Sequence, residues 1–389
     1  YIREQAGSLL PFLFPNARKG AIMSNVYFWN LRASRKMPFD LRIKKLLKKL
    51  ELGSMLEPGM LTAVKIHFGE GGTTGFVSPL WLRPIIEFIK KTGAKPFLTD
   101  TNTLYIGNRG EAVSHKLQAA RHGFDPNVLG APVIIADGLK SGNERKIKYR
   151  GKKLNEFFLA GDIVDSDFLV NVSHFKGHEL AGFGGALKNL AMGCATRQGK
   201  MQQHCGLGPK IDARHCQGCG VCVEVCAPGA LTLEEEKVRL DPEKCVGCAS
   251  CFLACKTGAL QINWETEVND FLARMTEYAA AVLSLKRKVS VHINYVFNVT
   301  PDCDCPGFSD APVCPDIGVL ASTDPVALDQ ACLDLVDQAQ PLFPSKLPAQ
   351  TRPGDDKFGL VHSRTNGRYC LEYASQLGLG STAYDLVTV

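Results

Sequence analysis

Eight cysteines in two matching sets constrain this 389-residue chain more than any other feature. Cys216, Cys219, Cys222 and Cys226 follow the spacing C-x2-C-x2-C-x3-C, and Cys245, Cys248, Cys251 and Cys255 repeat it 29 residues later. Gly218 and Gly247 hold matching places, as do the Gly-Ala-Leu triplets at 229–231 and 258–260, so the segment is an internal duplication. Three thiolates on a tight loop reach three irons of one cubane, whereas a fourth on the following turn points away from it.

In bacterial two-cluster ferredoxins that fourth cysteine serves the other cluster. The expected ligand sets are therefore Cys216, Cys219, Cys222 and Cys255 for one 4Fe-4S cluster, and Cys245, Cys248, Cys251 and Cys226 for the second. Paired zinc sites are the competing reading, but zinc usually takes separated pairs of cysteines. The proline that often follows the fourth cysteine is displaced to Pro228 in the first half and replaced by Lys256-Thr257 in the second, a departure that bears on potentials and leaves ligation intact. Low potentials, on the order of −400 mV, suit such clusters.

Around this insert, expected at 211–265, apolar strand-like and amphipathic helix-like segments alternate as in an α/β domain. The fold class expected is an α/β body, residues 60–210 and 266–389 with a C-terminal tail, interrupted by a two-cluster ferredoxin module. Strands are expected at 61–68, 96–100, 132–137, 167–175, 289–297 and 317–322, and helices at 79–92, 110–122, about 185–193, 267–286, 325–338 and near 368–377. Residues 1–59 read as an N-terminal extension containing an amphipathic helix, "DLRIKKLLKKLEL" at 40–52, with Asp40 as its cap and a solvated basic face.

The formal charge of +6 counts cysteines as neutral. Two oxidised cubanes, each at about −2, would cancel most of it, which removes the electrostatic case for nucleic acid. No apolar run approaches the roughly 20 residues of a membrane span. Fifteen cysteines in a chain long enough to build its own core speak for metal ligation and a reducing, cytoplasmic setting rather than a disulfide scaffold. Residue 1 is Tyr rather than Met, so the start reads as processed or incomplete and an upstream targeting segment stays open.

Five polar clusters fall just after the expected strands: "HFGE" at 67–70, "TDTNTLY" at 99–105, "SHFKGHE" at 173–179, "TPDCDC" at 300–305 and "STDP" at 322–325. In open α/β sheets ligands bind beyond the carboxyl ends of strands, so a shared cleft is expected there. Within it, His174, Lys176, His178 and His67 are the candidates for proton transfer, against the alternative of packed, hydrogen-bonded histidines. Gly182, Gly184 and Gly185 lead toward a helix start, and with Lys188 they read as a loop for a carboxylate or phosphate. The stretch matches neither the P-loop spacing nor G-x-G-x-x-G after a strand. Glu70, Asp100 and Asp324 read as turn or helix caps as readily as functional groups, Asp324 above all because Pro325 follows it. Cys303, Cys305 and Cys314, with Asp302 and Asp304, form a second cysteine-bearing loop that allows a third metal site, and Cys194 and Cys205 are free thiols or inert buried ones.

The segments "VKIHFGE", "PFLTDTNTLY", "APVIIADG", "SHFKGHELAGFGGALKNLAMGC" and "TPDCDCPGFSDAPVCPDIGVLASTDPVALDQA", together with the double cysteine motif, resemble the ferredoxin-containing branch of the domain-of-unknown-function 362 family over about residues 60–338. The resemblance implies two cubanes and leaves the reaction of the α/β body unstated. "HELAGFGGALKN" is also faintly similar to a glycine-lysine segment of lactate racemase-like proteins, which implies a hydroxy-acid or metal-cofactor site. The leading expectation is a redox protein passing electrons between a partner protein and an anionic small molecule at the cleft. The alternatives are an electron-transfer subunit with no small-molecule site, and a non-redox, isomerase-like enzyme with structural clusters.

Overall fold

Segments such as "LTAVK", "KPFLTD" and "FLVNVSH" are apolar on both faces, as strands sandwiched between helix layers must be. The computed structural model describes residues 23–105, 107–204, 208–245, 250–261, 268–285 and 290–389. In it these strands join an eight-stranded mixed sheet in the order Tyr384–Thr388, Ser24–Trp29, Gly318–Ser322, Val291–Val296, Phe168–His174, Leu61–Lys65, Lys95–Asp100, Val133–Ile135. The last five run parallel, with Ile293 beside Val172, Val170 beside Val64, and Val64 beside Leu98. Gly318–Ser322 alone runs against both its neighbours, while Tyr384–Thr388 lies parallel to Ser24–Trp29.

Helices cover both faces. On one side Ala186–Cys194, Val268–Ser284 and Pro325–Gln338 enclose an apolar core with Leu187, Leu190, Tyr278 and Leu328. On the other, Phe39–Lys49 and Pro79–Lys91 bury Ile43, Leu46, Leu47, Leu82, Ile85 and Ile89. None of the described helices is long and apolar enough to cross a membrane.

The expected strands and helices of the body are present with bounds shifted by a few residues; positions 267, 286 and 289 lie outside the described residues. Three differences matter. The stretch read as an N-terminal extension contributes Ser24–Trp29 to the sheet, and its helix begins after Pro38, with Asp40 in the first turn rather than at the cap. The strand expected over 61–68 stops at Lys65, which frees residues 66–70 to fold over the strand ends. Because Gly318–Ser322 is reversed, "STDP" emerges at the opposite edge of the sheet from the other four clusters. There Asp324 caps Pro325–Gln338 by accepting from the N–H groups of Val326 and Ala327, and also binds Ser24 Oγ and the Ser381 N–H.

Between Gly208 and Gln261 the described chain forms a small lobe. Lys210–Ile211 pairs with Leu260–Gln261, and Leu231–Glu234 pairs with Lys237–Leu240. Short helices span Val221–Glu224 and Ser250–Ala254, and Cys222, Leu231, Val238 and Leu260 form its apolar centre.

Candidate functional site

Beyond the carboxyl ends of the parallel strands lies a cavity of about 340 Å³. Four of the five polar clusters reach its wall: His67 from the first, Asp100, Thr101 and Thr103 among others from the second, His174, Lys176 and His178 among others from the third, Cys303 and Cys305 from the fourth. The helix Ala186–Cys194 adds Lys188, Asn189, Met192 and Gly193.

His174 ends its strand with both ring nitrogens engaged. Nδ1 lies 3.0 Å from each Asp304 carboxylate oxygen, and Nε2 lies 2.8 Å from the Phe297 carbonyl and 3.2 Å from that of Asn298. Four acceptor oxygens surround the ring, so both nitrogens are occupied by partners within the protein. Lys176 donates to the His174 carbonyl at 3.0 Å and pairs with Asp304 at 3.2 Å. The opposing pull of burial does not prevail at Asp304: His174 and Lys176 hold its carboxyl well below the usual range. This trio fixes the loop 300–305 against the strand end.

His178 differs. Its Nδ1 accepts from the N–H groups of Leu180 and Ala181, both at 3.1 Å, so the ring hydrogen sits on Nε2. Burial, reinforced by Lys188, keeps its pKa well below 6.5, leaving a neutral ring that offers an N–H at the cavity.

The glycine stretch is not the open anion loop expected from sequence. Lys176–His178 and Gly182–Gly184 pair as a short antiparallel ribbon. The following helix N-terminus already holds an anion of the chain's own: the N–H groups of Ala186 and Leu187 donate to the Asp329 carboxylate at 2.7 and 2.9 Å. A side chain at Gly185 would put its Cβ 2.3 Å from Asp329 Oδ1, and one at Gly184 would press on Lys176 Cε at 3.2 Å. These glycines make room for internal partners. Lys188 is what remains for a ligand: it lines the cavity with no hydrogen bond or ion pair to any described residue. Burial works against its charge, but Cys305 and Cys303, then Glu179 and Asp304, outweigh it and raise its pKa.

His67 is held in a frustrated position. Its Nδ1 faces the Gly69 N–H at 3.1 Å, and its Nε2 faces Arg109 Nη1 at 2.7 Å and Cys305 Sγ at 3.5 Å. A neutral ring accepts at only one nitrogen, and burial together with Arg109 lowers its pKa. Arg109 also binds Glu70 Oε2 at 3.2 Å and the Tyr105 hydroxyl. Lys65, fully buried, joins Asp100 at 2.8 Å to Asn189 at 2.7 Å. Lys200 donates to the Asn102 and Ala195 carbonyls, and burial brings its pKa down to about 8. Sequence reasoning passed over Lys65, Arg109 and Lys200. Lysine inside the strand "LTAVK", buried among apolar residues, was the signal available for the first.

The second cysteine loop separates. Cys303 and Cys305 meet at the cavity, where a hydrogen bond from Cys303, helped by His67 and Lys188 against the effect of burial, lowers the Cys305 pKa well below 9 and raises that of Cys303. Cys314 lies in the apolar core, its thiol pushed by burial up to about 12, and Asp302 turns to Lys346 and His362. No three-cysteine metal site forms here. His178, Glu179 and Cys303 do bring donor atoms within 4.8 Å of one another, but His178 has no lone pair left to give.

In the lobe, Cys216, Cys219, Cys222 and Cys255 line one hollow of about 20 Å³. Burial, then the neighbouring Cys255, Cys219 and Cys216, raises the Cys222 pKa. Four cysteines around one hollow fit a metal cluster that takes them as thiolates. Cys226 accepts from the Ala230 N–H at 3.2 Å, and Cys245 lies so near Gly208 that a Cβ there would stand 2.8 Å from its sulfur. Cys251 packs against a small apolar cluster of Leu104, Met201 and Phe252, and Leu104 also lines the strand-end cavity. Cys248 and Cys205 lie outside the described residues. Cys194 is buried in the apolar core.

The family model described as "Domain of unknown function (DUF362)" matches residues 62–334. No curated protein matches. Among solved structures, the lactate racemase apoprotein from Thermoanaerobacterium thermosaccharolyticum overlaps at a TM-score of 0.32 and 14% identity, over 61% of this chain and 49% of that one. A structural-genomics crystal structure of a protein from Thermotoga maritima overlaps at 0.41 and 10% identity, over 79% and 61%. The chain thus spans about half the length of the first and under two thirds of the second, and neither overlap is close enough to carry an activity across.

Proposed function

We propose that this chain, which belongs to the DUF362 family, is an iron-sulfur redox protein that moves electrons between a partner protein and a small anion held in the strand-end cavity. Two 4Fe-4S clusters, when bound, supply low-potential one-electron chemistry. The ligands would be Cys216, Cys219, Cys222 and Cys255 for one, and Cys245, Cys248, Cys251 and Cys226 for the other. The hollow lined by the first four supports the first assignment.

The observation that carries the reading is the apolar contact of Cys251 and Phe252 with Leu104 and Met201. Leu104 lines the cavity and belongs to the same small apolar cluster as Phe252, against which Cys251 packs, so the lobe and the cavity wall meet through that cluster. At the cavity, Lys188 offers a cation with no partner among the described residues and His178 an N–H, while Lys65, Lys176 and Arg109 keep the surrounding field positive although each is committed to a carboxylate. His174 and Lys176 act as the frame that holds Asp304 and its loop, His67 as the group beside Cys305.

The test uses oxygen-free protein with its iron content measured. Chemically reduced protein is mixed with a panel of small carboxylates and phosphates while the visible absorbance is followed. Reoxidation by a member of the panel, slowed about tenfold or more by Lys188→Gln, is the expected result. Clusters that stay reduced until a partner protein is added would replace the reading with that of an electron-transfer subunit. A chain that takes up no iron would overturn it.

A further inference from the structure

We propose that Cys305 is a nucleophile, and that the anion bound beside it is a small carboxylate whose neighbouring carbon is electrophilic. The inference rests on the anionic-ligand half of the proposed function and is independent of what the clusters do.

Three features converge on one wall. Cys305 lies 3.5 Å from His67 Nε2 and shares the cavity lining with Cys303. Lys188 lines the same cavity without a described partner. His178, with its hydrogen fixed on Nε2 by Leu180 and Ala181, can only donate. A carboxylate on Lys188, a carbonyl oxygen on His178 and a carbon facing Cys305 use each group in the one role its surroundings leave it. A metal ion would need the lone pair that His178 has spent, and a thiol kept only for packing would not sit beside a histidine in a cavity lined by an ammonium that has no partner among the described residues.

The step is an addition. The sulfur lone pair forms the S–C bond, the carbonyl π pair moves to oxygen, and the His178 N–H hydrogen-bonds the resulting alkoxide. Nothing is oxidised or reduced, and reversal expels the thiolate unchanged. The Cys303 hydrogen bond, then His67 and Lys188, lower the Cys305 pKa well below 9 against the effect of burial, which makes this thiol more acidic than an ordinary one.

Iodoacetate is the probe: it carries a carboxylate beside an electrophilic carbon, and sulfur displaces iodide from it. Ordinary exposed thiols react faster with uncharged iodoacetamide. Oxygen-free holoprotein is treated with each reagent at roughly pH 6, where an unperturbed thiol is almost wholly protonated, and the modified peptide is identified by mass spectrometry. Cys305 should be labelled, with iodoacetate the faster reagent; Lys188→Gln should return the preference to iodoacetamide, and Lys188→Arg should keep it. If Lys188→Gln fails to fold, protection of the native protein by pyruvate, with none by neutral acetone, serves in its place. Labelling confined to other cysteines, a native preference for iodoacetamide, or a preference unchanged by Lys188→Gln would each overturn the proposal. Cluster reoxidation is not read in this experiment, so its failure leaves the electron-transfer reading where it stood.

Discussion

Asp304 shows how one carboxylate can organise a cavity without touching its contents. It joins His174 and Lys176 across the strand end, and all three are buried. Removing its charge would strand two donors, so Asp304→Asn is expected to cost about 3 kcal/mol, read as a lower urea midpoint at unchanged slope. Gly185→Ala tests close packing beside the same site: with Asp329 Oδ1 2.3 Å from the new Cβ, about 1–3 kcal/mol should be lost although the backbone there suits any residue. At this scale the sequence was partly legible. His67, His178, Lys188 and Cys305 stood out as polar residues clustered after strands. Arg109 did not, because it lies in a loop with no period, and its importance comes from Glu70, His67 and Tyr105, which only the fold brings to it.

Among the elements, the helix Ala186–Cys194 carries the main correction to the sequence reading. Its N-terminus has the positive end that favours an anion, and a carboxylate 143 residues away in sequence, on a neighbouring helix, fills the place. Burial, against the hydrogen bonds from Leu187, Ala186 and Asn294, pushes Asp329 up to about 6 from the usual 3.8. The folded-state pKa is raised, so stability from protonation is fully present below about 3.8 and is lost as pH rises through about 6. Relative to Asp329→Asn, the native protein should therefore gain about 2 kcal/mol between pH 7 and pH 4, measured by denaturant unfolding at each pH. A difference that does not change with pH would mean the carboxyl titrates normally. The ribbon Lys176–His178 and Gly182–Gly184 escaped sequence reading for a related reason: three-residue strands rich in glycine have no alternation to detect. The parallel strands did, being long apolar runs bounded by turn residues, but strand direction is not encoded in such runs, which is why "STDP" was placed with the wrong edge.

At the scale of the molecule, the cysteine lobe and the α/β body have separate interiors: Cys222, Leu231, Val238 and Leu260 in one, the two helix-covered faces of the sheet in the other. So small a lobe has little apolar surface to hold it without the clusters proposed for it. Stripping iron should expose residues 208–261 to protease while the sheet and its cooperative unfolding survive, as fragment masses and circular dichroism would record. Joint collapse of both would contradict this division. The sheet itself is less modular along the chain. Among the described residues, Ser24–Trp29 pairs only with Gly318–Ser322 and Tyr384–Thr388. At roughly 5–20 residues per second, a ribosome needs about 15–60 s to make the 290 or so residues between that strand and its first partner. Through that interval the earliest strand of the sheet is an unpaired apolar ribbon on the nascent chain, and its protection until release falls to whatever chaperones the translating cell provides.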